Sequence, residues 1–249
     1  ALALFNKANG ELAEIGPITK TLLRLSPNRF SQFETGSHSL RAGEFISRAL
    51  LPLTTALETL KNPTNGQLTE RLLTFQKALQ GSLPFIKYAN IELRDVNPDA
   101  LPEAYSLQFQ TIKNYLRDLE NDLQVADPLF GVLYNMLGGK NDQRYLVVLQ
   151  NNTEMRATGG FIGSFALLDL NKGDIKQIRF PNGGSYDLQG SIKSIIEPPT
   201  PLKILRTRWE FQDANWFPDF PASARKLAWF YEKSGGATVD GVIALDTNI

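Results

Sequence analysis

Over its first 140 residues the chain spaces its apolar side chains by threes and fours. Leu4, Ala8, Leu12 and Ile15 form one stripe, cut by Gly16-Pro17, a pair that ends or kinks a helix. Ile46, Ala49, Leu53, Ala56 and Leu60 form a second, and Leu68, Leu72, Phe75 and Leu79 a third. Between those two lies Asn62–Gly66 (NPTNG), a strong turn signal, so an antiparallel helical hairpin is predicted. Tyr105, Phe109, Ile112, Leu116, Leu119 and Leu123 repeat in the rhythm of a coiled-coil seam. Asn97-Pro98 is the predicted cap and first-turn proline of that helix, and Asp127-Pro128 those of a short helix ending at Gly138-Gly139. The stripes are read as packing on one another, because an amphipathic face must be buried somewhere.

Near residue 141 the pattern changes. Short apolar runs, glycine pairs and prolines replace helical spacing: Tyr145–Leu149, Phe161–Leu170, then Ile175–Phe180 after the turn Asn171-Lys172-Gly173-Asp174. The last two read as strands of a hairpin. Residues 182–205 are loop-like, Ser223–Lys233 is amphipathic, and Val239–Leu245 reads as another strand. The predicted architecture is α+β: a helical domain over 1–140, forming an antiparallel bundle or coiled-coil-like stalk. A mixed-sheet α/β domain with flanking helices follows over 141–249.

Composition narrows the chemistry. With 42% hydrophobic and 21% charged residues the 249-residue chain is ordinary for a folded protein. Its formal net charge is zero, so no broad nucleic-acid-binding surface is expected. There is no cysteine, which excludes disulfides, thiolate metal sites and a cysteine nucleophile. His38 is the single histidine and is read as a satisfied surface or loop residue, which disfavours a Ser-His-Asp triad or a multi-histidine metal centre. No run approaches the roughly 20 apolar residues of a membrane helix. The chain opens as if inside a helix and stops on a strand, so it reads as a fragment.

Three stretches carry candidate chemistry. Asn151, Asn152, Glu154 and Arg156 precede Gly159-Gly160 at a strand end. There a guanidinium fork and approachable backbone amides suit phosphate or carboxylate, while a Glu154–Arg156 pair on a tight connection is the structural alternative. Asp187, after Tyr186, is either a metal or base residue on a loop or an Asx-turn residue. Asp213–Phe220 (DANWFPDF), preceded by Arg206 and Arg208, gathers Asp213, Asn215 and Asp219 between aromatic residues. Such oxygen donors suit Mg²⁺ with a phosphate substrate, or Asp219 simply caps the following helix.

The segments RYLVVLQNNTEMRATGGFIGSFALL, DANWFPDFPASARKLAWFYEKSGG and VDGVIALD resemble the bacterial family known as domain of unknown function 4012. That resemblance implies an extracytoplasmic protein of the cell envelope, anchored by a membrane helix upstream, with a further carboxyl-terminal continuation. A more distant similarity is to the LytR-CpsA-Psr family, whose enzymes transfer glycopolymers from a polyprenyl pyrophosphate to the cell wall, using arginines for the pyrophosphate and aspartates for Mg²⁺. Arg156 before a strand, Pro181 with Asp187 beyond it, and the loop bearing Asn215 follow the same order. Where that family has an Arg-Asp pair after the proline, this chain has Asn182-Gly183.

Two functions are therefore expected. In the first, a glycopolymer phosphotransferase, Arg156, Asp187 and Asp213 are catalytic, and Asn151, Asn152, Glu154, Arg206, Arg208 and Asn215 bind ligand. Asp213 and Asp219 hold Mg²⁺, and a polyprenyl-pyrophosphate glycan or wall polymer is the partner. The alternative is a non-enzymatic envelope scaffold or glycan- or protein-binding module, stacking its ligand on Trp209, Trp216, Trp229 or Tyr231.

Overall fold

The computed structural model describes residues 1–62, 64 and 66–246. The chain forms two compact units, Ala1–Tyr134 and Asn135–Ile249. Their mixed helical and sheet content makes the protein α+β, with long helices first and one four-stranded sheet after them.

The first unit is built from α1 (Leu2–Ala13), α2 (Pro17–Arg24), α3 (Pro27–Lys61), α4 (Leu68–Arg94) and most of α5 (Glu103–Met136). Its core is three seven-residue ladders: Ala42, Ala49 and Ala56 on α3, Leu72, Leu79, Ile86 and Leu93 on α4, and Phe109, Leu116 and Leu123 on α5. That period is the coiled-coil one, and alanines on one helix let its neighbour approach closely. Contacts that pair low numbers with high ones show that α3 and α4 are antiparallel. His38 meets Glu92 at 2.6 Å, Ser82 Oγ donates to the Ala49 carbonyl at 2.8 Å, and Arg71 Nη1 donates to the Leu60 carbonyl at 2.7 Å. The turn expected over Asn62–Gly66 lies partly outside the described residues.

Four local expectations need correction. Asn97-Pro98 does not open α5. The Asn97 side chain instead accepts from the Asp99 amide at 3.1 Å in a separate 3₁₀ turn, Pro98–Ala100. Asp127-Pro128 does not start a new helix, since α5 runs through Pro128. The Asp127 carboxylate is held by the amides of Gln76 and Gln80, each at 2.8 Å, so tertiary bonds outweigh the local breaking signal. Tyr105 and Ile112 are exposed, so only half of the expected seam is buried. His38 is on α3, half-buried against Glu92, rather than in a loop.

The second unit contains β1 (Gln143–Asn151), β2 (Phe161–Asn171), β3 (Asp174–Arg179), α6 (Phe220–Lys233) and β4 (Gly241–Asp246). The sheet order is β3-β2-β1-β4, with β1 antiparallel to β2 and parallel to β4. The β2–β3 hairpin turns at Lys172 and Gly173, both at positive φ (51° and 88°), the geometry whose twist matches paired strands. Side chains of β1 alternate between faces. Leu146 and Val148 join Phe165, Phe211, Leu227 and Phe230 on one side, while Tyr145 and Val147 join Ala166 and Leu170 on the other. Because both faces are apolar, β1 reads in sequence as a continuous hydrophobic run.

Candidate functional site

At the carboxyl end of β1 the chain makes a tight excursion, residues 152–160, before returning as β2. The Asn151 side chain accepts from Thr153 N (3.1 Å) and Thr153 Oγ1 (2.7 Å), closing an Asx turn. Gly159 sits at φ 134°, and a Cβ on Gly160 would lie 2.2 Å from the Asn151 carbonyl oxygen, so only glycine lets the loop fold back so closely. This closure presents Arg156, whose guanidinium lies 5.3 Å above the Phe161 ring.

The facing wall comes from the segment before α6. Arg206 N donates to the Leu202 carbonyl at 2.9 Å, ending a turn that carries Leu205 and Arg206. Trp209 Nε1 donates to the Asp213 carbonyl at 2.9 Å and fixes the 3₁₀ turn Phe211–Asp213. Asn215 Nδ2 donates to the Gly160 carbonyl at 2.8 Å, fastening this segment to the Arg156 loop. Together they enclose a cavity of about 790 Å³ lined by Arg156, Arg206, Asp213 and Asn215, with Met155, Leu202, Leu205 and Trp216 as its apolar wall. That is the size of a small-molecule site, with few polar groups set in an apolar lining.

Electrostatics set the polarity of the cavity. Asp213 is 5% exposed, and burial pushes its carboxyl above the ordinary range, while the charges of Arg206 and Arg156 pull it down. The ion pair with Arg206, Nε to Oδ2 at 3.5 Å, has no hydrogen-bond geometry, and the Arg206 side chain is itself 41% exposed, so burial prevails. A carboxyl whose folded pKa lies above its unfolded one favours the folded state at low pH. That contribution is lost as pH rises from the ordinary value of 3.8 through the raised one. Asp213→Asn is accordingly expected to flatten the dependence of melting temperature on pH as pH rises above the ordinary value of 3.8. A thermal scan in which native and variant proteins keep a constant difference across that range contradicts this.

The other sequence candidates do not line the cavity. Asp187 accepts from the Gly183 amide at 2.9 Å and braces its own loop. Arg208 pairs with Glu210 at 2.9 Å, and Asp219 caps α6 by accepting from the Ala222 amide at 3.0 Å. Glu154 is exposed and accepts from Asn151 at 3.5 Å rather than pairing with Arg156, and Asn152 stays on the turn. Asp187, Arg208, Asp219 and Glu154 are each held by a partner two to four positions away. Sequence reasoning missed Leu202, Leu205 and Met155, which nothing but their placement beside arginines could mark.

The donor set bears on Mg²⁺. With Asp219 committed to its cap, the cavity offers one carboxylate and one amide oxygen, and a guanidinium stands 3.5 Å from that carboxylate. Among the described residues no three His, Asp or Glu side chains cluster as a metal site. The Asp213–Asp219 pair does not fit a Mg²⁺ ion, and the positive charge facing a ligand comes from arginine.

Fold and cleft together define an α+β domain, with a guanidinium-rimmed, apolar-walled cavity beyond the end of its central strand. Residues 140–249 match the model of the family described as Protein of unknown function (DUF4012). No curated protein and no solved structure matches the chain.

Proposed function

We propose that the second unit is a phosphotransferase of the cell envelope, acting outside the cytoplasm on a glycan carried by a polyprenyl pyrophosphate, in the manner of the LytR-CpsA-Psr enzymes. The observation that supports this most is the meeting of Arg156 and Arg206, fifty positions apart, across one cavity whose remaining wall is apolar. Paired guanidinium forks suit a pyrophosphate, and the exposed side chains of Met155 and Leu205 at the same cavity suit a prenyl chain.

In the transfer, an acceptor hydroxyl gives its proton to the Asp213 carboxylate, which the raised pKa makes a better base. The acceptor oxygen forms a bond to the glycan-bearing phosphorus. The bond from that phosphorus to the bridging oxygen breaks, and polyprenyl monophosphate leaves with the electron pair. Arg156 and Arg206 stabilise the charge spreading over the phosphate oxygens. Asp187, Arg208 and Asp219 act in this reading as supports of their own loops.

Among the described residues no helix is long and apolar enough to cross a membrane. Of the four aromatic residues a glycan-binding scaffold would use, Trp209 and Tyr231 are buried core residues packed on Phe230 and Phe165, which leaves Trp216, in the cavity wall, and the half-buried Trp229. Calorimetric titration of the whole chain tests the proposal. Farnesyl pyrophosphate is expected to bind at micromolar levels and farnesol not to. Equal heats from both, or none from either, reject it.

A further inference from the structure

We infer that Asn215 marks a sugar subsite, a place in the cavity wall that accepts a hydroxyl of the first sugar next to the pyrophosphate; this rests on the reading of the rim as a pyrophosphate site. Asn215 is 1% exposed and lines the cavity. Its Nδ2 is committed to the Gly160 carbonyl, which fixes the plane of the amide and directs Oδ1 away from that bond. Oδ1 has no hydrogen-bond partner within the protein, and the neighbouring Asp213 Oδ2 has none either. Buried oxygens without partners are rare in folded proteins, and each calls for a donor. A ligand made only of pyrophosphate and prenyl chain has no donor to give, because its ionised oxygens accept and its hydrocarbon does neither. A sugar attached to the pyrophosphate brings several hydroxyls close to the arginines.

A divalent cation is the competing occupant for two bare oxygens. It is disfavoured here because Arg206 Nε already stands 3.5 Å from Asp213 Oδ2 and would repel it. The amide oxygen also selects a neutral donor, since unlike a second carboxylate it adds no charge that would repel the phosphates.

The test compares two ligands on the whole chain: farnesyl pyrophosphate and farnesyl pyrophosphate bearing a glucosyl group. The glucosylated ligand is expected to bind about tenfold more tightly, the worth of one well-made hydrogen bond to a buried acceptor. Asn215→Leu brings that ratio to about one. Should Asn215→Leu not fold, monodeoxy-glucosyl ligands on the native chain decide, because removal of one particular hydroxyl must then erase the gain. Equal affinity of the two ligands for the native chain overturns the sugar subsite while leaving the pyrophosphate reading standing. A gain that appears with MgCl₂ and not with the sugar also overturns it, assigning the oxygens to a cation. Failure of farnesyl pyrophosphate to bind, whether or not the glucosylated ligand binds, removes the pyrophosphate reading and the subsite that rests on it.

Discussion

An Arg156→Ala, Arg206→Ala double variant is expected to bind farnesyl pyrophosphate at least about a hundredfold more weakly than the native chain. A hydrogen bond to a charged group contributes about 1.5–3 kcal/mol, and two such anchors together reach about 3–6 kcal/mol. The single variants separate binding from stability. Arg156 has no carboxylate within ion-pair distance among the described residues, so Arg156→Ala should weaken binding and leave the melting temperature nearly unchanged. Arg206→Ala also leaves the buried Asp213 without its 3.5 Å counter-charge, so it should lose stability at neutral pH and regain part of it in acid. Arg206→Lys keeps the charge and loses the fork, and should fall between the two. Calorimetry together with thermal melts reads all of these, and a double variant that binds as the native chain does removes the arginines from the site.

Phe165→Ala is expected to produce the largest loss of stability in the second unit, about 3–5 kcal/mol. Phe165 is 2% exposed at the middle of the sheet face that packs under α6. Its ring lies 5.2 Å from Phe211 and 5.8 Å from Tyr231, so truncation empties space that three elements share. All three tryptophans of the chain, Trp209, Trp216 and Trp229, lie in this unit, so tryptophan emission in urea, excited beyond the tyrosine band, reports on it alone. A midpoint unchanged by the substitution would show that the sheet and α6 are held together by something other than this cluster. Phe211 is linked to Asp213 through a single 3₁₀ turn, so the same variant should also loosen the cavity and weaken ligand binding.

Most of the fold was legible because its elements are local. The three-and-four spacing marked the helices, the apolar runs marked the strands, and Asn171-Lys172-Gly173-Asp174 marked a hairpin that the structure builds with two positive-φ residues. Expectations failed where a distant partner outweighed a local signal, as when Gln76 and Gln80 hold Asp127 and α5 continues through Pro128. For the cavity the residue types were readable and the choice among them was not. Arg206 and Arg208 look alike in sequence, yet two positions turn one towards Asp213 and the other towards Glu210. Asp213 and Asp219 are equally polar, but only the second precedes a helix whose first turn needs a cap.

A bond from the Asn215 amide to the Gly160 carbonyl joins the two walls of the opening. It ties the two strips of chain that carry the arginines, so their backbones part only by breaking that bond. An aperture held at one width before anything enters spends little freedom on closing, and it measures a guest by its girth as well as its charge. A single phosphate, with fewer oxygens to share between the two arginines, should therefore be held more loosely than two joined in a row.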